Sequence, residues 1–96
     1  MSTTTLSQSA AAREREIASR YAHPNEARIR VLVRDGFIRR DAEEIDRLER
    51  LENTLLDTEC SVGLSEERRA RLNAIQAQLD RFMQAARCHA ERTAAA

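Results

Sequence analysis

The sequence predicts an all-α fold: a small bundle of three to four helices built on an antiparallel helical hairpin. Two apolar stripes carry that expectation. The first runs Ile38, Ala42, Ile45, Leu48, Leu51, Leu55, and the second Leu72, Ile75, Leu79, Phe82, Ala86. Steps of three and four residues place each set on one face of an α-helix. Between the stripes lies Thr58 to Ser65, a polar stretch with Gly63 that suits a turn reversing the chain. A third observation is compositional. The 96 residues include only two Gly and one Pro, and Ala, Leu, Glu, Gln and Arg dominate, all good helix formers. A chain this short makes one domain, here residues 7–92, with 1–6 and 93–96 expected to fray.

Taken in order, the first helix is expected over about 9–21. Ser7 or Ser9 can cap it, Ala10, Ile17 and Tyr21 give a thin apolar stripe, and His23-Pro24 ends it, because the residue before proline is driven out of helical geometry. Residues 25–40 support two readings. In one, a helix starts at Pro24 to Glu26, buries Ile29, Leu32 and Val33, and stops at Gly36 in a left-handed conformation. In the other, Arg28 to Val33 is a half-alternating strand turning at Asp35-Gly36. A lone two-stranded hairpin is marginal in water, and its surroundings are helical, so the helix is favoured.

The third helix is expected over about 41–57. Asp41 is its cap, Glu44 completes a capping box, and Asp41, Glu43, Glu44 and Asp46 suit the positive end of the helix dipole. The fourth is expected over about 65–91, capped by Ser65 with Glu66 and Glu67 in its first turn. At about 1.5 Å per residue these helices are near 26 and 40 Å long, so the fourth overhangs by roughly 14 Å. The overhang still carries Phe82, Met83, Ala86 and Ala90, apolar surface that needs a cover.

Charge is balanced in total but not in place. Residues 1–40 carry +4, residues 41–64 carry −6 and residues 65–96 carry +2. An acidic middle between basic flanks predicts charge pairing within the chain or between subunits, which selects helix neighbours more than it stabilises them. Every basic side chain is Arg and none is Lys. With abundant Ala, that matches coding in a G+C-rich genome, such as a bacterial or phage one, better than selection for the guanidinium fork.

Chemistry-bearing motifs are sparse. The sequence has no nucleophile elbow, Gly-rich phosphate loop, HExxH or paired-Cys motif, so no enzyme activity is expected. Cys60 and Cys88 are placed tens of ångströms apart by helix rise, beyond the reach of a disulfide. Cys88-His89 point about 100° apart on a helix and chelate one ion poorly, even beside His23, so neither metal nor cofactor is expected. No apolar run approaches the roughly 18 residues of a membrane span, and the N-terminus lacks a signal-peptide pattern, which points to a cytoplasmic protein.

The remaining expectation is a protein–protein interaction module, acting as an adaptor, assembly factor or stoichiometric inhibitor, with a homo-oligomer (a dimer above all) as the favoured assembly. Leu79, Phe82, Met83, Ala86 and His89 would form its partner-binding face, with Arg28, Arg30 and Arg34 supplying charge complementarity. The alternative is a dimeric DNA-binding regulator using residues 28–34 as a β-ribbon. A helix-turn-helix fails on charge, since its reading helix would carry Asp41, Glu43, Glu44 and Asp46 toward phosphates.

Overall fold

A computed structural model describes residues 2–95, with side chains over 9–94. It holds four helices: α1 (Ser2–Arg20), α2 (Glu26–Arg34), α3 (Arg39–Val62) and α4 (Glu66–Ala95). No strand occurs among the described residues, so the bundle expectation stands and the ribbon reading of 28–34 falls. That segment is helical because Asn25 Oδ1 accepts the Arg28 N–H at 3.1 Å, a side-chain cap that competes directly with an extended chain. At the other end, Phe37 N–H bonds the Leu32 carbonyl and Gly36 N–H bonds that of Val33, with Gly36 at φ +114°. This is a Schellman stop, and its usual apolar partners are present, since Leu32 and Phe37 share the core.

α3 and α4 form the antiparallel hairpin, and α3 is the element against which α1, α2 and α4 all pack. α2 lies over the first half of α3 and α1 over the second, so the broken pair α1–α2 runs antiparallel to α3. The main core joins Ile29 and Leu32 of α2, Ala42, Ile45 and Leu48 of α3, and Ile75 and Leu79 of α4. Phe37, Leu51, Leu55, Phe82 and Met83 pack around it, half-buried. The molecule is elongated, 68 × 26 × 17 Å.

Several expected boundaries move. α1 begins at Ser2, upstream of the Ser7 or Ser9 cap and inside the segment expected to fray; Met1 lies outside the described residues. α3 starts at Arg39, with Ile38 as its N-cap and no side-chain cap bond, so the Asp41–Glu44 capping box does not form. Asp41 sits instead within the first turn, and Glu44 pairs with Arg47. α3 also runs on to Val62. Thr58 is buried and donates its hydroxyl to the Thr54 carbonyl at 2.7 Å, which satisfies a polar side chain inside the helix and removes the reason to break there. The turn shrinks to Gly63–Ser65, where Ser65 Oγ caps α4 through the Arg68 N–H as expected. α4 continues to Ala95 rather than fraying from Thr93; Ala96 lies outside the described residues. With 24 and 30 residues, α3 and α4 differ by only about 9 Å.

α1 is attached lightly. Ile17 is its one large, fully buried side chain among the described residues, and it lies outside the main core cluster. Polar clamps flank it: Glu14 with Arg68 of α4 at 2.8 Å, and the Tyr21 hydroxyl donating to Asp57 of α3 at 2.6 Å. Ile17→Ala is therefore expected to weaken the docking of α1 by about 2–5 kcal/mol. Amide exchange should quicken across 9–20 while 42–48 and 72–79 stay protected; uniform loss across all helices would contradict this separation.

The two clamps also set a pH window. The hydrogen bond from Arg68 holds the Glu14 carboxyl below its ordinary value of 4.5, so that clamp is whole above 4.5 and is lost as pH falls through the lowered value. The hydrogen bond to Asp57 pushes the Tyr21 phenol above its ordinary 10.0, so this clamp is whole below 10.0 and is lost as pH rises through the raised value. The protection of α1 amides, taken relative to their intrinsic exchange rate at each pH, should be flat between those limits and fall beyond both. Glu14→Gln should shrink the acid limb and spare the alkaline one; an unchanged acid limb would rule the clamp out.

Candidate functional site

The open end of the hairpin, opposite the Gly63 turn, carries part of the apolar surface that the fold leaves uncovered; Leu56 and Val62 are exposed nearer the turn. Antiparallel pairing brings the start of α3 beside residues 78–86 of α4. A cleft of about 430 Å³ lies there, lined by Asp41 from α3 and by Gln78, Arg81, Phe82 and Ala85 from α4. Phe82 thus has two sides, one against the core and one on this cleft. Met83 and Ala86 are half-buried beside it. The α2–α3 corner adds Val33, 41% exposed, and Ile38, 64% exposed, with Phe37 half-buried between them.

Ile38 stands out chemically. An N-cap favours Ser, Thr, Asp or Asn, whose side chain satisfies an amide of the first turn that has no partner in the helix. Here the position holds a β-branched apolar residue that caps nothing and faces water. The stripe reading placed Ile38 on the buried face of the hairpin. It is exposed because the chain leaves the Schellman stop at Gly36 and enters α3 only two residues later, which leaves Ile38 in extended geometry outside the helix. Val33 is likewise exposed rather than buried, since the nine-residue α2 turns Ile29 and Leu32 inward.

The predicted site residues divide. Leu79 is buried in the core beneath the cleft, and Phe82, Met83 and Ala86 rise over it at the surface. His89 lies farther along α4, exposed, one turn past Ala86. Arg28 sits elsewhere. Its Nε and Nη2 bond Glu49 Oε1 and Oε2 at 2.9 and 3.0 Å, a half-buried bidentate pair joining α2 to α3. That hydrogen bond raises the Arg28 pKa above its ordinary value. Arg30 and Arg34 are exposed and enter no ion pair among the described residues.

A second, polar cleft lies at the α1–α2 break, lined in part by Arg20, Tyr21, His23, Arg28, Asp46 and Arg50. Its charges are engaged with one another. Arg50 Nε donates to Asp46 at 3.0 Å and its Nη1 to the Tyr21 carbonyl at 3.2 Å, while Asp46 also accepts the Asn25 N–H at 3.3 Å. Those bonds hold both ends of the 21–25 connector to α3, which is a structural task. Among the described residues, no three of His, Cys, Asp and Glu converge as a metal-binding group, and Cys60 and Cys88 are both exposed free thiols.

Sequence reasoning singled out Phe82 from the stripe and Met83 from the far end of α4, and expected Val33 and Ile38 to face inward, where the structure exposes them. The available signal was Ile38 itself, an apolar residue where a short Gly-containing turn hands the chain to an acidic helix start. If Ile38 serves something other than stability, Ile38→Ser should stabilise the chain by about 1 kcal/mol by supplying the missing cap. Chemical denaturation measures this; a loss of stability would show that Ile38 supports the fold.

No family model, curated relative or solved structure matches the chain significantly, so its function is argued from this geometry.

Proposed function

We propose that this chain is a non-catalytic docking module, which binds another protein through the open end of the α3–α4 hairpin. The observation that carries the reading is Ile38. It is 64% exposed at a position where a polar residue would make the central helix more stable. Departures from local stability rules of this kind concentrate at functional sites. The neighbouring Val33, Phe37, Phe82 and Met83 supply an anchor set around it, of the apolar kind that dominates binding energy in protein interfaces.

The rival regulator loses its structural premise, because residues 28–34 are helical and offer no ribbon.

A photo-crosslinking amino acid at position 38 tests the proposal in the native host. A discrete adduct of defined mass is expected there and not with the crosslinker at the exposed Asn73 on the far face of α4. Its mass separates a second copy from a different protein. Equal adducts at both positions, or none at position 38, would overturn the assignment of this end.

A further inference from the structure

The proposed docking end also carries a charge that selects its partner. The acids of α3 are largely engaged within the fold. Glu43, Glu44, Asp46, Glu49, Asp57 and Glu59 each pair with an arginine of this chain. The arginines that remain exposed and outside any ion pair among the described residues include Arg30, Arg34 and Arg40 at the α2–α3 corner and Arg81 and Arg87 on α4. The unpaired acids in the same stretches are Asp35, Asp41 and Asp80. The near-neutral chain therefore presents a local cationic excess around its exposed apolar residues. Within the Phe82 cleft itself, Asp41 and Arg81 offset each other, which leaves an apolar centre with a cationic rim.

Resting on the docking reading above, we infer that the partner is an acidic amphipathic helix of another protein, its apolar residues seated on Ile38, Val33 and the Phe82 cleft and its carboxylates facing Arg30, Arg34, Arg40 and Arg87. A helix fits because it offers apolar side chains at i, i+3/i+4 and i+7 to a groove that itself lies between two helices. A second copy is a poorer occupant: its one strongly acidic helix, α3, already has most of its carboxylates held in internal pairs. Rim arginines act mainly on encounter rate and specificity, so the preference should be salt-sensitive.

Three fluorescent model peptides of about 18 residues, long enough to populate a helix, test this. They share one leucine face and carry Glu, Gln or Lys on its flanks. Measured by anisotropy with the full chain at low salt, the Glu peptide should bind at least about tenfold more tightly than the Gln peptide, with the Lys peptide weakest. The gap should narrow between about 0.05 and 0.3 M salt. Arg30→Gln/Arg34→Gln should reduce the Glu preference, and Ile38→Asp, whose side chain is exposed, should weaken all three peptides while circular dichroism stays that of the parent. Equal binding of the Glu and Gln peptides, tighter binding of the Lys peptide, or no binding of the Glu peptide overturns the inference. So does displacement of the Glu peptide by a short DNA duplex at lower concentration, since the rim would then be reading phosphates. The docking proposal falls separately, if the position-38 crosslink also fails.

Discussion

The fold depends on one constraint: α3 must serve three neighbours at once. Ala42, Ile45 and Leu48 are almost wholly buried, and the same helix carries eight acidic residues along 41–59. A helix so polar is held less by its own propensity than by what covers its apolar stripe. α4 covers one side of that stripe, α2 and α1 the other. The carboxylates on the remaining surface are then met by arginines from α1, α2, α4 and α3 itself. The buried pair Asp46–Arg50 shows how the two demands meet. Asp46 is only 2% exposed, and its charge is answered by Arg50 and by the Asn25 amide. Removing one partner from such a pair is costly, because the other stays buried and unanswered. The pair thereby pins the α1–α2 connector to the middle of α3.

That arrangement has a direction. The end of the molecule near Gly63 is closed by α1, which reaches Arg68 through Glu14. The opposite end is closed only in part, by Phe37, Phe82 and Met83, each half-buried against the core. The N-terminal third thus covers some of the surface that α4 would otherwise leave bare, and the uncovered remainder shifts to the α2–α3 corner. Internal charge pairing is densest along α3, and exposed arginines outside any ion pair among the described residues remain toward both ends, Arg13, Arg15 and Arg71 toward the closed one and Arg30, Arg34 and Arg40 toward the open one.

Much of the fold was legible in residue order. The stripes located both hairpin helices, Ser65 announced its own cap, and Gly36 announced the stop of α2. The acidic middle between basic flanks anticipated pairs such as Arg28–Glu49 and Arg69–Glu59. What stayed hidden was whatever depends on tertiary context. Thr58 looked like loop material, yet its hydroxyl is satisfied by the Thr54 carbonyl inside α3. Asp41 looked like a cap, yet the Schellman geometry starts the helix two residues earlier. Asp46 looked like a dipole acid and is a buried anchor. For the site, periodicity found Phe82 but assigned Ile38 and Val33 inward, because a stripe gives a face and not the rotation of a short helix against its neighbours.

The claim that most needs measurement is that the open end, and not the α1 groove, is where a partner sits. Backbone amide chemical shifts recorded while the Glu-flanked peptide is titrated locate it directly. The account predicts shifts confined to residues 30–41 and 78–87, with Leu51, Leu55 and Arg68 unmoved. Shifts centred on those three residues instead, where α1 packs, would mean that the partner displaces α1 and that the open end is not the site.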